Sequence, residues 1–184
     1  MRVAISGTHC CGKSTLIDAF LSSHDTYSHE PEPYEVLQDL YGEDFGAEPG
    51  ADEFFRQLEY QVERLQQYTT GDQVIFERSP ADFLAYLLAL DDLGRDTADA
   101  ERAKQSISVV RGAMALLDLV VYLPATNEGV PESEDPELRR AVDARLEGIL
   151  LDDDFDLFTG DRPSVLEIVG TTEQRLRSLE AALR

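Results

Sequence analysis

Gly7-Thr8-His9-Cys10-Cys11-Gly12-Lys13-Ser14 fits the pattern G-x-x-x-x-G-K-[ST], the spacing of a phosphate-binding P-loop. Arg2-Val3-Ala4-Ile5-Ser6 precedes it and reads as a short buried strand. Thr15-Leu16-Ile17-Asp18-Ala19-Phe20-Leu21 follows, with apolar residues at helical spacing. The loop therefore sits between a strand and a helix, where the chemistry needs it. Its glycines let successive N–H groups point into one concavity, and the helix N-terminus adds partial positive charge. Gly7 to Thr15 are the expected phosphate-binding residues: Gly7, Thr8, His9, Cys10, Cys11, Gly12, Lys13, Ser14 and Thr15. Lys13 reaches the outer phosphates of a bound ATP, and the Ser14 hydroxyl ligates Mg²⁺.

Outward from this loop the chain alternates strands and helices. Strands are expected at Val3–Ser6, Thr26–Glu30, Gln73–Glu77, Leu119–Leu123 and Val165–Val169. Near-continuous apolar strands alternating with helices imply a parallel sheet covered on both faces, a three-layer α/β fold of the P-loop NTPase type. Asp52–Tyr68 keeps Phe54, Phe55, Leu58, Val62 and Leu65 at helical spacing. Ala81–Leu90 is apolar almost all round and reads as a buried helix. A helix over about Ala98–Leu117 leads into strand four. Pro124 to Pro136 is acidic, carries Gly129 and Pro131, and reads as a mobile loop. Asp135-Pro136 then starts a helix to about Leu151, with aspartate as N-cap and proline at the first position. Thr171-Thr172-Glu173-Gln174 is a capping-box start for a last helix that buries Leu176, Leu179 and Leu183. The 184 residues suit a single domain, 1–184.

Charge is the unusual part of the composition. Thirty-seven acidic residues against 16 basic give a formal net charge of −21, a surface that repels nucleic acid and anionic membrane. Lys13 and Lys104 are the only lysines, so any basic group near a pocket carries more weight than usual. The longest apolar run, Phe83 to Leu90, is too short to span a bilayer. With a strand beginning at Arg2, no secretion signal is expected. The only cysteines, Cys10 and Cys11, are adjacent in the loop and read as small residues rather than a disulfide or zinc site. Free thiols beside an ATP site suggest the cytoplasm, and a homodimer stays open. His9, His24 and His29 suggest no ligand set.

Two further strand ends carry chemistry, because ligands in open α/β sheets gather at the carboxyl ends of strands. After strand three stands Glu77-Arg78-Ser79-Pro80. A carboxylate at Glu77 can hold the metal, and Arg78 can neutralise charge on the transferring phosphoryl group. After strand two stands Glu30-Pro31-Glu32-Pro33-Tyr34, where two prolines stiffen the exit. A carboxylate there can take the proton of an attacking hydroxyl. Glu30 and Glu32 both fit the spacing from Lys13, with Glu32 preferred because Glu30 is expected within the strand.

Taken in order, P-loop, Glu-Pro and Glu-Arg-Ser resemble the deoxynucleoside kinases and their thymidylate-kinase-like relatives. The likeness is strongest to a little-characterised branch of small ATP-binding P-loop proteins with Glu-Pro-Tyr and the stretch here from Arg78 to Tyr86. The resemblance implies that the helix Asp52–Tyr68 walls an acceptor pocket, with Gln57 or Gln61 reading a base edge. It implies a helical lid over about residues 124–151 whose Arg139, Arg140 and Arg145 approach the phosphates. Steps of five and six residues scatter these three arginines around a helix, so at most two can meet a phosphate together. The chain departs from the family in having no tryptophan after its Glu-Pro.

The activity implied is Mg-ATP-dependent phosphoryl transfer to a small acceptor, a nucleoside or nucleotide. Two other readings are a regulatory nucleotide switch and a kinase of another metabolite such as nicotinamide riboside. Strand four ends in Pro124 instead of the acidic residues of a motor ATPase, which favours a kinase over a motor.

Overall fold

A computed structural model describes residues 1–43, 50–95, 100–125, 135–158, 160 and 162–184. In chain order the elements are β1 (Arg2–Ser6), α1 (Lys13–Leu21), β2 (Ser28–Glu30), α2 (Pro33–Tyr41), α3 (Ala51–Leu65), β3 (Val74–Glu77) and α4 (Pro80–Asp92). They continue with α5 (Ala100–Met114), β4 (Leu119–Tyr122), α6 (Pro136–Leu151), β5 (Ser164–Glu167) and α7 (Thr172–Ala182). The five strands form one parallel sheet in the order β2-β3-β1-β4-β5. β1 lies at the centre, so the loop that follows it opens between the ends of its two neighbours.

Strand periodicity divides the core into two layers. Val3 and Ile5 of β1, Ile75 of β3, and Leu119 and Val121 of β4 face Leu16, Ile17 and Phe20 of α1 and Leu179 of α7. The alternate residues Ala4, Val74, Phe76, Val120 and Tyr122 face a larger layer built from α3, α4, α5 and α6. This is the three-layer α/β arrangement the alternation of strands and helices predicts. α4 is the buried helix expected: every residue from Pro80 to Leu90 is buried.

α3, α5, β4 and β5 end one to three residues before their expected bounds, and strand two and its exit differ for local reasons. The exit from strand two turns directly into a helix. Pro33 occupies the first position of α2, where a missing N–H costs nothing, and Glu32 is its N-cap residue. β2 is shorter than expected, because the Tyr27 N–H turns back to the His24 carbonyl at 3.1 Å. The Asp135 side chain caps α6 by accepting from Glu137 N and Leu138 N, both at 3.0 Å. Most of the loop expected over Pro124–Pro136, and the first residues of the helix expected from Ala98, lie outside the described residues.

Candidate functional site

The backbone from Gly7 to Gly12 needs glycine at both ends. Gly7 has φ +149° and Gly12 φ +93°, conformations in which a side chain is strained. A Cβ on Gly7 would also stand 2.6 Å from Cys11 Sγ and 2.6 Å from the Leu123 carbonyl. Cys10 is left-handed without being glycine, at φ 57°, a strained geometry of the kind that gathers at functional sites. Burial pushes the Cys11 thiol up, against the pull of Lys13 and Arg78, so Cys11 fills the loop as a neutral group. Thr8 and Lys13 are buried, and Lys13 Nζ donates to the Thr8 carbonyl at 3.1 Å. Ser14 and Thr15 open α1 on its exposed side.

β3 supplies the next two groups. Its register pairs Glu77 with Ile5, which sets Glu77 beside the strand that feeds the loop. Ser14 Oγ donates to Glu77 Oε1 at 2.8 Å. One hydroxyl and one carboxylate side by side are hard oxygen donors of the kind that would suit Mg²⁺. Arg78 follows with φ 72°. Its N–H bonds the Ile5 carbonyl at 3.0 Å, and its own carbonyl accepts from Gln61 Nε2. These bonds hold a left-handed arginine that sterics disfavour.

The Arg78 guanidinium is buried and bonds through two of its nitrogens. Nε donates to Glu32 Oε1 at 2.6 Å and Nη1 to the Gly7 carbonyl at 3.1 Å. Asp82 Oδ1 lies 3.6 Å from Nη1, and the Tyr86 ring centroid 5.3 Å from the guanidinium carbon. Burial alone disfavours its charge, but Glu32 and Asp82 keep it well above the usual arginine value. Arg78 thus links the strand-two carboxylate to the first residue of the loop.

The two carboxylates after strand two part company. Burial works to raise the Glu32 pKa, but Arg78 and Lys13 outweigh it and hold the carboxyl below its ordinary value. Glu32 is therefore an ionised acceptor close to Lys13. Glu30 is occupied elsewhere: Arg64 Nε donates to its Oε2 at 2.8 Å, Arg64 Nη2 pairs with its Oε1, and the Tyr68 hydroxyl donates to it as well. The bonds described for Glu30 run to α3 and the turn after it, and none runs to the loop.

Gln57 and Gln61 are both buried on α3 one turn apart. Gln61 faces the site through Arg78, and Phe54 stacks on Tyr86 at 4.5 Å beside it. The three arginines of α6 separate as their spacing predicts. Arg139 is buried and its Nε donates to the His9 carbonyl of the loop at 3.0 Å. Arg140 is exposed. Arg145 Nε bonds Asp92 Oδ2 of α4 at 2.6 Å, away from the loop.

One site residue went unassigned in the sequence. Asp82 Oδ1 accepts the Gly7 N–H at 2.9 Å, while Oδ2 accepts from Ser79 N at 2.8 Å and Ser79 Oγ at 2.9 Å. One buried carboxylate thereby fixes the start of α4 and the start of the loop. The signal was the Ser79-x-x-Asp82 spacing of a capping box.

A family model described as an AAA domain matches residues 2–165. The chain belongs to this family. No curated protein gives a significant match. Among solved structures, deoxyadenosine kinase from M. mycoides with bound dATP is similar over 100% of this chain and 99% of that one, at 19% identity and TM-score 0.69. The same kinase with products dCMP and a flexible dCDP bound gives 16% identity, TM-score 0.67, and 100% and 98% coverage. NadR in complex with NR gives 17% identity and TM-score 0.67, over 99% of this chain and 49% of the NadR chain. The fold is that of the P-loop kinases, in line with the resemblance to the deoxynucleoside-kinase type drawn from the sequence. Among the described residues no helix is long and apolar enough to cross a membrane.

Proposed function

We propose that the protein transfers the γ-phosphoryl group of Mg-ATP to a hydroxyl of a small, nucleoside-like acceptor. The observation that carries this reading is the ionised Glu32 carboxylate held by Arg78 beside Lys13. A nucleotide switch that works by binding alone needs the phosphate loop and a metal residue but has no use for a proton acceptor there. A kinase needs all three.

In this mechanism the loop N–H groups and Lys13 receive the phosphates. Ser14 and Glu77 are the residues that would hold a magnesium ion, whose charge would offset that of the phosphates. Glu32 accepts the proton of the attacking hydroxyl, and Arg78 keeps it ionised and aimed. Gln57, Gln61 and the Phe54–Tyr86 stack wall the acceptor side. Of the lid arginines, Arg139 is the one that meets the loop, through the His9 carbonyl. The names of the similar structures, a deoxyadenosine kinase and NadR with NR, support trying nucleosides first as acceptors, with nicotinamide riboside, the other candidate from the sequence, beside them. Use of ATP beside two cysteines that form no disulfide suits a cytoplasmic enzyme.

The decisive experiment is ADP release from Mg-ATP across deoxynucleosides, ribonucleosides, nucleotides and vitamin-like ribosides, with Lys13→Ala as the control. Acceptor-dependent release that vanishes in Lys13→Ala is the result expected. Uniformly low release with normal ATP binding would establish the switch instead.

A further inference from the structure

A loop that turns its N–H groups toward phosphate leaves its carbonyls facing the protein, and each needs a donor there. Lys13, Arg78 and Arg139 meet the carbonyls of Thr8, Gly7 and His9. The Cys11 carbonyl is met from the far end of the chain: Arg175 Nη1 donates to it at 2.6 Å. Arg175 lies on α7, beyond residue 165 where the family match ends, so the family model does not reach it.

Its placement is built into the fold. Leu179, one turn on, is buried with Leu16, Ile17 and Phe20 of α1. Helical side chains tilt toward the N-terminus, so Arg175 leans from that anchor toward the loop. Nη1 stands 3.0 Å from where a Cβ on Gly12 would lie. The guanidinium therefore occupies the space beside the loop's second glycine. Arg175 is 8% exposed, and its Nε is buried with no hydrogen-bond partner. A cation buried with so few bonds costs stability, and an apolar side chain would pack there at less cost. That cost is offset when an anion enters the adjacent loop.

We infer that Arg175 is a positioning residue of the phosphate loop. Through the Cys11 carbonyl it holds the loop in its phosphate-receiving curl, and through its charge it favours a bound polyphosphate. The inference rests on the reading of the loop as a nucleotide site, and it couples α7 to nucleotide binding.

The test is calorimetric binding of Mg-ATP and of ADP to the full chain, alongside melting with and without nucleotide. Arg175→Met should weaken both nucleotides roughly ten- to a hundredfold, the size of a lost charged hydrogen bond. Its rise in melting temperature on adding ATP should shrink accordingly. Arg175→Gln keeps a donor without the charge and should fall between. Exposed Arg177→Ala should bind as wild type. In turnover, KM for ATP should rise while KM for the acceptor holds. Wild-type affinity in Arg175→Met, or in Arg175→Gln should the first variant not fold, overturns the inference. A lowered melting temperature with unchanged affinity also overturns it, by showing a structural staple. If the wild-type chain itself binds no nucleotide, the nucleotide reading fails, and this inference with it.

Discussion

Glu32 and Glu30 stand two residues apart, and only the partners that reach them set their roles. Glu32 meets Arg78 and the field of Lys13. Glu30 meets Arg64 and Tyr68 from 34 and 38 residues away. A general base contributes 10²–10⁴-fold, so Glu32→Gln should cut turnover by about that factor with ATP affinity kept. Glu30→Gln should leave the chemistry nearly intact and lower stability by about 1–3 kcal/mol, because Arg64 and Tyr68 lose their charged acceptor. A larger turnover loss in Glu30→Gln reverses the assignment. The pH dependence follows with its sign. Glu32 is held below its ordinary value of 4.5, so its stabilising pair is complete above that pH and is lost as pH falls through the lower folded value. The acid limb of kcat/KM should lie below pH 4.5, and Arg78→Lys should move it upward. Glu77→Gln should weaken the magnesium dependence of turnover while changing nucleotide affinity little; an unaltered magnesium titration would make Glu77 purely structural. The P-loop itself was legible because its chemistry is local. The preference for Glu32 over Glu30 was legible only through the expected reach of strand two, because their spacing is equivalent and the partners that set their roles arrive from the end of β3 and from α3.

α4 shows how an element serves the site from behind it. Its residues from Pro80 to Leu90 are buried, and its first turn ends in Asp82, which accepts from both Ser79 and Gly7. Ser6 Oγ adds a bond to Ser79 Oγ at 2.8 Å, so β1, the loop and α4 share one buried polar node. Asp82→Asn replaces one acceptor oxygen with a donor facing donors, and should destabilise the fold by about 1–3 kcal/mol. Denaturant midpoints would measure that, and a loss under half a kcal/mol would count against the node. A weaker nucleotide affinity should accompany it, since the Gly7 N–H loses its anchor. Helices with wide apolar faces were readable, as were the caps at Asp135 and Thr171, because those signals lie within a few residues. The start of α2 was not, because Glu-Pro-Glu-Pro reads as a stiff exit until the second proline is seen to occupy a first helical position.

At the scale of the whole molecule, sheet and charge work in opposite senses. Strand number and parallel direction were legible in the alternation of strands and helices. The order β2-β3-β1-β4-β5 was not, since crossover helices let a strand join either edge and leave no mark in local sequence. That central place for β1 gathers cations: Lys13, Arg78, Arg139 and Arg175, four of the five buried basic residues among the described residues, all donate to loop carbonyls. They do so inside a chain of formal charge −21. An approaching nucleotide therefore meets repulsion at long range and attraction only at contact. The Debye length decides which it feels: about 30 Å at 0.01 M salt, beyond a radius of gyration of about 16 Å, and about 8 Å at 0.15 M. Raising salt across that range should screen the acidic surface first and leave the buried cations little changed. The association rate of Mg-ATP should accordingly rise, opposite to the fall expected of a basic protein that steers anions. Melting temperature should rise over the same range as self-repulsion is screened. Stopped-flow binding at the two ionic strengths, at constant free magnesium, reads the first effect. A rate that falls as salt is added would mean that the loop's cations project their field into solvent, and that the acidic surface stands too far from the entrance to matter.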